Sequence, residues 1–232
     1  MATAVITGAS RGLGRALAGG LADRGWSLVV DARGSEALDA AVAELRRSGA
    51  AVIGIAGDVA DPVHRRALVS GAASLGDGID LLVNNASVLG PSPQPPLATY
   101  PLDVLRRVYE VNVVAPLALF QEAAPALRRS GSGRVLNVTS DAAVEPNEGW
   151  GGYGSSKAAL DQVSAILGAE EPGLRVWSVD PGDLRTQLHQ EAFPGEDISD
   201  RPLPSSVVPA FMDLIVSDRP SGRVRISELV AS

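Results

Sequence analysis

The chain has 232 residues, of which 45% are hydrophobic and 20% charged, proportions that are typical of a globular protein with a sizeable core. Its formal net charge of -7 favours neither nucleic acid nor an anionic membrane as a partner. No cysteine is present, which excludes disulfides and thiolate chemistry, and the two histidines, His64 and His189, are expected at the surface rather than on a metal.

Short apolar runs alternate with longer segments of helical spacing along the chain. The runs are TAVIT, SLVV, AVIGI, DLLV, RVLNV, RVWSV and RVRIS. They show little strict alternation, as expected for strands that are covered on both faces. Between them, spacings such as Leu38, Val42 and Leu45 are typical of helices. The pattern predicts an α/β fold: a doubly wound parallel sheet of about seven strands with helices on both faces.

The chain opens directly on the first of these strands, at Thr3, with no recognisable leader peptide before it. No apolar run approaches the ~20 residues that a bilayer crossing requires. We therefore expect a cytoplasmic protein without a membrane partner. Because no linker or repeat divides the sequence, we expect a single domain over residues 1–232.

A glycine-rich turn, Thr7-Gly8-Ala9-Ser10-Arg11-Gly12-Leu13-Gly14, follows the first strand, and a helix is expected from about Arg15. Such a turn lets backbone N–H groups and a helix N-terminus approach a pyrophosphate. Glycines here also serve close helix packing alone, but the position directly after strand one favours a dinucleotide site. The candidate cofactor-binding residues of the turn are Gly8, Ser10, Arg11, Gly12, Leu13 and Gly14.

The end of the second strand, Val30-Asp31-Ala32-Arg33, bears on which dinucleotide binds. A carboxylate there binds the ribose hydroxyls, whereas a cation binds a 2′-phosphate. Counted from Gly14, the usual acidic position falls on Ala32, and Arg33 follows it. NADP(H) is therefore predicted to be preferred, with Arg11 and Arg33 near the phosphate. A register different by one residue would place Asp31 at the ribose and favour NAD(H).

Two proline-rich stretches interrupt the alternation. Residues 88–101 are predicted to form a loop, and residues 183–204 are predicted to form a flap over a site. Elsewhere, residues typical of helix ends mark the element boundaries. Asp61 followed by Pro62, for example, predicts a helix start.

Tyr153 and Lys157 stand four residues apart at the start of a predicted helix, so they share one face. Lys157 is the only lysine in the chain. An ammonium ~4 Å from a phenolate stabilises it by ~4 kcal/mol at an effective dielectric of ~20. This is about the energy needed to lower the pKa of a tyrosine from ~10 to ~7. The pair is thus predicted to perform general acid/base chemistry. Ser140 emerges at the carboxyl end of the strand RVLNV, where ligands of open parallel sheets bind.

Taken in order, these motifs resemble those of the short-chain dehydrogenase/reductase family. The resemblance runs from Thr3 to about Val224 and includes TGASRGLG, Asp58-Val59, Asn84-Asn85-Ala86, Asn112, Ser140, Tyr153 with Lys157, and Pro181-Gly182 with Thr186. It departs from the family at Ser87, where a glycine is common. The resemblance implies a Rossmann fold and transfer of the pro-S hydride between a nicotinamide and a carbonyl or alcohol.

The resemblance also implies the roles of individual residues. Asp58 and Val59 would contact the adenine, Asn85 and Ala86 would line the cofactor path, and Pro181, Gly182, Leu184 and Thr186 would hold the nicotinamide end. Ser140 would bind the substrate oxygen, Tyr153 would transfer the proton, Lys157 would bond the nicotinamide ribose, and Asn112 would hold a relay water. Relatives pair through the helices of residues 102–129 and 153–168, which implies a homodimer or homotetramer.

A narrower resemblance, carried by Pro146-Asn147-Glu148-Gly149-Trp150, Glu170-Glu171-Pro172 and PGDLRT, points to the sepiapterin and benzil reductases, which reduce vicinal dicarbonyls with NADPH. Ile226 stands where sepiapterin reductases have a pterin-binding aspartate. Trp150 is predicted either to form an apolar substrate wall with Leu89 and Leu188 or to pack in the core.

Other functions remain open at this point. Arg128 and Arg129 would suit the acidic carrier of a 3-ketoacyl reductase, or they complement a helix C-terminus. A non-catalytic dinucleotide sensor is a further alternative, although it would not need all of Asn112, Ser140, Tyr153 and Lys157. A sugar-nucleotide epimerase is disfavoured, because it needs an additional substrate domain.

Overall fold

The computed structural model describes residues 1–230, in which each apolar run forms a strand of one seven-stranded parallel sheet. The strands are β1 Thr3–Ile6, β2 Ser27–Ala32, β3 Val52–Ala56, β4 Leu81–Asn84, β5 Arg134–Val138, β6 Arg175–Asp180 and β7 Gly222–Arg225. The helices are α1 Gly12–Ala22, α2 Ser35–Leu45, α3 Pro62–Ala73, α4 Leu102–Tyr109, α5 Ala115–Arg129, α6 Gly151–Glu170, α7 Gln187–Ala192, α8 Val208–Val216 and α9 Ile226–Val230. The predicted α/β architecture is confirmed.

Helices cover the sheet on both faces, which explains why the strands are apolar almost throughout. Side chains of α1, α2 and α8 pack on one face, around Leu17, Leu38 and Phe211. Side chains of α3, α5 and α6 pack on the other, around Leu68 and Leu119. A strand that lies between two apolar layers loses the alternation of a half-exposed strand.

The strand order β3-β2-β1-β4-β5-β6-β7 places the site. From β1 the chain winds outward through β2 to β3, and it then returns to the other side of β1 as β4. The connections therefore diverge between β1 and β4 and leave a crevice at the carboxyl ends of these strands.

One local boundary differs from expectation, and two other local features agree with it. Helix α1 begins at Gly12 rather than near Arg15, because Gly12 adopts a φ of +57° and lets the turn run directly into the helix. Residues 88–101 form a loop with one short 3-10 turn, Leu97–Thr99. The expected start of α3 is confirmed, since the Asp61 side chain accepts a hydrogen bond from Val63 N–H at 2.8 Å.

The proline-rich stretch 183–204 contains a helix, α7, that the sequence did not indicate. Six residues between prolines and acids give too short a periodic pattern to recognise. Thr186 caps this helix by accepting a hydrogen bond from His189 N–H at 3.2 Å.

Between α4 and α5 the helix widens into a π-helical turn, Glu110–Val114. Pro116 lacks the N–H that would bond the Asn112 carbonyl in an α-helix, which accounts for the widening. Turns of this kind occur often at functional sites.

Candidate active site

A cleft of about 470 Å³ opens at the carboxyl ends of the central strands. It collects most of the residues that the sequence indicated: Gly8, Ser10, Arg11, Gly12, Leu13, Arg33, Asp58, Val59, Asn85, Ala86, Ser140, Trp150, Tyr153, Lys157, Pro181, Gly182, Leu184 and Thr186 all line it. Gly14 and Asn112 do not line it. Both are buried next to residues that line it.

The glycine-rich turn forms the floor of one half of the cleft. Gly8 has a φ of +66°, and a Cβ added at Gly14 would lie 2.4 Å from Asn85 Nδ2 and 2.5 Å from the Gly8 carbonyl oxygen. Asn85 Nδ2 donates to the carbonyl oxygens of Thr7 at 2.8 Å and Gly8 at 3.1 Å. Asn85 thus braces the turn from the neighbouring strand, which places the backbone N–H groups that open α1 at the cleft.

The carboxylate of Asp31 is fully engaged beneath this turn. Its Oδ1 accepts a hydrogen bond from Gly8 N–H at 2.6 Å, and its Oδ2 lies 2.8 Å from His64 Nε2. The Asp31 side chain is 1% exposed and that of His64 is 5% exposed. His64 is therefore not a surface residue, contrary to expectation, and neither is His189 on α7, which is 9% exposed. A carboxylate with both oxygens occupied and almost no solvent contact cannot turn to a ribose without breaking these bonds.

Arg33 and Asp58 both line the cleft. Arg33 is exposed on the cleft wall, directly after the buried Ala32. Although partial burial alone would raise it, the pKa of Asp58 is lowered by a hydrogen bond from Ala60 N–H and by the guanidinium of Arg107, with a smaller contribution from Arg33. Val59 packs beside it against Val111 and forms an apolar edge.

Tyr153 and Lys157 lie on the cleft-facing side of α6, as predicted. Lys157 Nζ donates a hydrogen bond to the Val138 carbonyl oxygen at 2.8 Å and lies 5.5 Å from the centroid of the Tyr153 ring. Tyr153 is 6% exposed and Lys157 is 2% exposed. The only lysine of the chain is thus a buried cation at the centre of the cleft.

Burial determines how these two groups ionise. Burial raises the pKa of the Tyr153 hydroxyl above its ordinary value, the hydroxyls of Ser87 and Ser140 lower it in part, and the carboxylates of Asp141 and Asp180 raise it. Burial also lowers the pKa of Lys157 to about 8, against the opposing influence of Asp161. The expectation that the ammonium brings the pKa of the phenol close to 7 is not met, because loss of water raises that pKa. The structure favours a neutral phenol, which is the form that can donate a proton.

Ser140 stands beside Tyr153 at the end of β5. Its hydroxyl donates to Asp141 Oδ1 at 2.8 Å and accepts from Ala142 N–H at 3.2 Å, so it also caps a short 3-10 turn. Its carbonyl oxygen accepts a hydrogen bond from Arg223 on β7 at 3.0 Å, and Arg223 also pairs with the buried Asp180 at 3.2 Å. No sequence pattern indicated that Arg223, on the edge strand β7, would hold the backbone of Ser140 in this way.

The side chain of Asn112 is saturated by protein partners. Its Oδ1 accepts from Val88 N–H at 2.9 Å and from the Ser87 hydroxyl at 3.1 Å, while its Nδ2 donates to the Val88 carbonyl at 3.0 Å and to the Ser156 hydroxyl at 3.0 Å. Asn112 therefore ties the strand end after β4 to α6. Ser87, the departure from the family pattern, is one of its partners.

The other half of the cleft is apolar and aromatic. Trp150 packs edge-on against Tyr153, with ring centroids 5.9 Å apart, and joins Leu89 and Leu188 in one cluster. Trp150 both lines the cleft and packs against this buried cluster, so its position combines the two predicted placements. Helix α7 closes this side, held by the Ser92 hydroxyl, which donates to the Glu191 carbonyl at 2.6 Å, and by a contact between Arg11 and Gln187.

The two arginines considered for an acidic carrier are both engaged. Arg128 pairs with Glu171, and Arg129 Nε donates to the Asp77 carbonyl at 3.2 Å. Ile226 is 1% exposed, in the core. Within residues 1–230, no group of three His, Asp or Glu side chains is arranged to hold a metal ion. None of the helices in that range has the length and apolar character that a bilayer crossing needs.

Comparison with known proteins agrees with this geometry. The sequence profile described as short chain dehydrogenase matches residues 2–197. The 7alpha-hydroxysteroid dehydrogenase of Escherichia coli K12 is 34% identical over 185 residues, which are 79% of this chain and 71% of that protein. Human dehydrogenase/reductase SDR family member 4 is 34% identical over 191 residues, 80% of this chain and 66% of that protein. A fungal short chain dehydrogenase, from Pseudocercospora fijiensis, is matched over only 60% of its length.

Solved structures match over nearly the whole chain. A short chain dehydrogenase of Shigella flexneri complexed with NADP superposes with a TM-score of 0.90 at 26% identity, covering 97% of this chain and 95% of that one. A short chain dehydrogenase of Escherichia coli CFT073 complexed with NADPH gives a TM-score of 0.90 at 26% identity, with 97% and 96% covered. An alcohol dehydrogenase of Thermococcus sibiricus complexed with 5-hydroxy-NADP gives 0.87 at 28% identity, with 97% and 95% covered.

Proposed function

Because this chain belongs to the short chain dehydrogenase family, we propose that it is an NADP(H)-dependent carbonyl reductase or alcohol dehydrogenase. The observation that carries the proposal is the pairing of Tyr153 with the only lysine of the chain, one helical turn apart and both buried at the sheet's topological switch point. Ser140 lies beside them, so a carbonyl oxygen has two hydroxyl groups to bind.

The cleft fits a nicotinamide dinucleotide. Within residues 1–230, no side chain caps the first turn of α1, so its N–H groups face the cleft without a side-chain partner. Such N–H groups bind phosphate well, and Gly8 and Gly12 add no Cβ to obstruct its approach. The volume of about 470 Å³ lies in the usual range for cofactor sites. Pro181, Gly182, Leu184 and Thr186 would hold the nicotinamide end.

The chemistry divides among three side chains. The nicotinamide, when bound, supplies or accepts the hydride. Ser140 orients the carbonyl oxygen, and Tyr153 donates its proton to that oxygen as charge develops. The raised pKa of Tyr153 keeps the phenol protonated until the carbonyl oxygen takes the proton. Lys157, fixed by the Val138 carbonyl, supplies a positive charge that stabilises the phenolate left behind. Asn112 positions the strand end that bears Ser87.

Preference for NADP(H) over NAD(H) rests on the end of β2. Ala32 offers no group to a ribose, and Asp31 is held by Gly8 and His64. Arg33 is exposed on the cleft wall, and Arg11 stands at the turn. This arrangement supports binding of a 2′-phosphate. The NADP and NADPH complexes of the structural relatives are consistent with it.

The aromatic half of the cleft suggests a flat apolar ketone as substrate. A vicinal diketone is one candidate, by the local resemblance to benzil reductases, and a steroid ketone is another, by the name of the Escherichia coli relative. A 3-ketoacyl substrate on an acidic carrier is less well supported, because Arg128 and Arg129 already have partners.

We further propose that the chain is a single domain over residues 1–232, of which the last two lie outside the described residues, and that it forms a homodimer or homotetramer in the cytoplasm. Exposed apolar side chains on the helices of residues 102–129 and 153–168 support the assembly, since Leu102 is 62%, Val114 46% and Ile166 45% exposed. If light scattering finds only a monomer, the proposal of a homodimer or homotetramer is wrong.

The direct test is oxidation of NADPH, and separately of NADH, by the purified protein with a panel of diketones, aryl ketones and ketosteroids. We expect turnover with NADPH that exceeds turnover with NADH. If NADPH binds tightly and no carbonyl is reduced, the protein is a dinucleotide sensor rather than a reductase.

A further inference from the structure

Two arginines of the edge strand β7 take no part in the chemistry described above. Arg223 and Arg225 flank Val224, which is 2% exposed and packs in the core on one face of the sheet. Because side chains alternate along a strand, both arginines lie on the other face, which α6 covers. Arginine side chains are mostly exposed in proteins, but that of Arg223 is only 28% exposed, so partners inside the fold hold it.

The guanidinium of Arg223 bonds three elements that surround the reacting groups. Its Nε donates a hydrogen bond to Asp161 Oδ2 on α6 at 3.0 Å. Its Nη2 donates to the Ser140 carbonyl oxygen after β5 at 3.0 Å and to Asp180 Oδ2 at the end of β6 at 3.2 Å. A guanidinium is planar, permanently charged and has its donors in fixed directions, so Arg223 fixes these three elements relative to one another.

Asp180 extends this support to the turn that follows β6. Asp180 is 2% exposed, and its Oδ1 accepts a hydrogen bond from Gly182 N–H at 3.0 Å. This bond holds the turn through Pro181, in which Gly182 has a φ of +75°. Pro181 and Gly182 are the residues that would hold the nicotinamide end of the cofactor. A shift of the Asp180 carboxylate therefore moves that turn.

Ser140 extends the same support to the substrate oxygen. Its backbone is bonded to Arg223, and its hydroxyl is the group that would orient the carbonyl oxygen of a ketone. Ser140, Asp180 and Gly182 line the cleft, whereas Arg223 lies behind them and does not line it. Arg223 therefore acts on both reacting partners through other residues.

We propose that Arg223 is a positioning residue that keeps the nicotinamide-binding turn and Ser140 in a fixed relative position, so that the hydride donor and the carbonyl meet in a reactive geometry. The roles of the turn and of Ser140 rest on the proposed function; the network rests on the contacts of Arg223 alone. Because a misplacement of about 1 Å can cost about 100-fold in rate, loss of the guanidinium should lower turnover more than it weakens substrate binding.

The test compares Arg223→Met with Arg225→Met, a matched control on the same face of the same strand. Both substitutions remove a positive charge and leave an unbranched apolar side chain. Within residues 1–230, the ion pairs of Arg225 are with Asp180 and Glu145. In the control, Asp180 keeps its hydrogen bonds from Arg223 and Gly182, and Ser140 keeps the bond to its carbonyl oxygen.

Calorimetric titration measures the binding of NADPH and of adenosine 2′,5′-bisphosphate, which has the adenine end of the cofactor but no nicotinamide. For Arg223→Met we expect NADPH to bind about 10-fold more weakly and the bisphosphate to bind as it does to the wild type. With a ketone and saturating NADPH, kcat should fall about 10- to 100-fold with a much smaller change in KM. Arg225→Met should differ from the wild type by less than about threefold in each quantity.

Arg223→Lys tests whether geometry matters beyond charge. Lysine keeps the charge but lacks the planar fork that bonds three elements, so kcat should recover only in part and stay below that of Arg225→Lys. If Arg223→Met does not fold, this pair of variants decides the matter by the same measurements. The proposal is wrong if the Arg223 variant matches its Arg225 control in kcat or in the ratio of the two affinities, or if both ligands weaken together.

The two readouts separate this proposal from the proposed function. If the wild-type protein reduces ketones and neither kcat nor the affinity ratio depends on Arg223, the reductase stands and the positioning role is wrong. If the affinity ratio depends on Arg223 but no ketone is reduced, the positioning of the nicotinamide end stands and the reductase is wrong. Failure of the wild-type protein to bind NADPH would refute both.

Discussion

The two halves of the cleft are built in different ways. The cofactor half consists of strand ends and tight turns, such as Gly8, Gly14 and Asp58, whose backbone conformations follow from the local sequence. The substrate half is formed by Trp150 and by parts of two long segments, residues 88–101 and 183–204, that are held together by contacts distant in sequence, such as Ser92 with Glu191. A local backbone conformation requires particular residues and so produces a sequence motif, whereas long-range packing does not. The cofactor half can therefore be recognised from the sequence, and the substrate half only from the structure.

Substituting Tyr153, where the halves meet, should have the largest effect. Tyr153→Phe removes the proton donor and little volume, so we expect turnover to fall about a thousandfold while NADPH affinity stays unchanged. Steady-state kinetics and fluorescence titration of NADPH check the two parts. Near-native turnover would mean that another group delivers the proton.

The cofactor half should not tolerate a methyl group at Gly14. The new Cβ of Gly14→Ala would lie 2.4 Å from Asn85 Nδ2 and 2.5 Å from the Gly8 carbonyl oxygen, so we expect the free energy of unfolding to fall by about 1–3 kcal/mol and NADPH affinity to fall with it. Gly19→Ala is the matched control on the same helix, because its Cβ meets no atom of the described residues within 4 Å. It should stabilise the protein by up to ~1 kcal/mol. Equal melting temperatures for the two variants would refute the assignment.

Charge at the end of β2 should affect one cofactor and not the other. Arg33→Ala removes a charge-assisted hydrogen bond of about 1.5–3 kcal/mol, so NADPH should bind about 10- to 100-fold more weakly and NADH as before. Arg47→Ala, a highly exposed arginine outside the cleft, controls for net charge. Parallel losses for both cofactors would show that Arg33 does not read the 2′-phosphate.

A substitution in the substrate half should change the KM for the ketone. Trp150→Ala removes an aromatic wall from the ketone, and we expect KM to rise about tenfold with NADPH affinity unaltered, because Trp150 lies on the substrate side of Tyr153. Steady-state kinetics with an apolar ketone as substrate measures the change in KM. A loss of NADPH affinity instead would contradict the division of the cleft into halves.

The pH dependence of catalysis should follow the ionisation of Lys157. The pKa of Lys157 is lowered to about 8, so the ammonium is present below pH 8 and is lost as the pH rises through that value. We expect kcat/KM to decline above about pH 8, by roughly tenfold per unit at the limit. The Lys157→Arg variant keeps its charge far above that range, so any residual activity should lack the decline. An unchanged profile in that variant would assign the ionisation to another group.

Sequence patterns predicted the sheet, the order of the site motifs and the convergence of Tyr153, Lys157 and Ser140, because regular elements and turn residues leave a periodic or positional record. They did not reveal the bond between Asp31 and His64 or the burial of His189, since side-chain burial depends on which distant elements pack together. They also misjudged the pKa of Tyr153. Charge spacing is visible in a sequence, but the depth of burial that raises this pKa is not.

Deuterium transfer tests the central assignment most directly. The protein is incubated with NADPH deuterated at the pro-S position of C4 and an aryl ketone that it reduces, and the product alcohol is analysed by mass spectrometry and NMR. We predict one deuterium on the carbinol carbon with the wild-type protein, and at least a thousandfold slower labelling with Tyr153→Phe. Product alcohol without the label, or equal labelling rates for the two proteins, would contradict hydride transfer to a carbonyl that Tyr153 protonates.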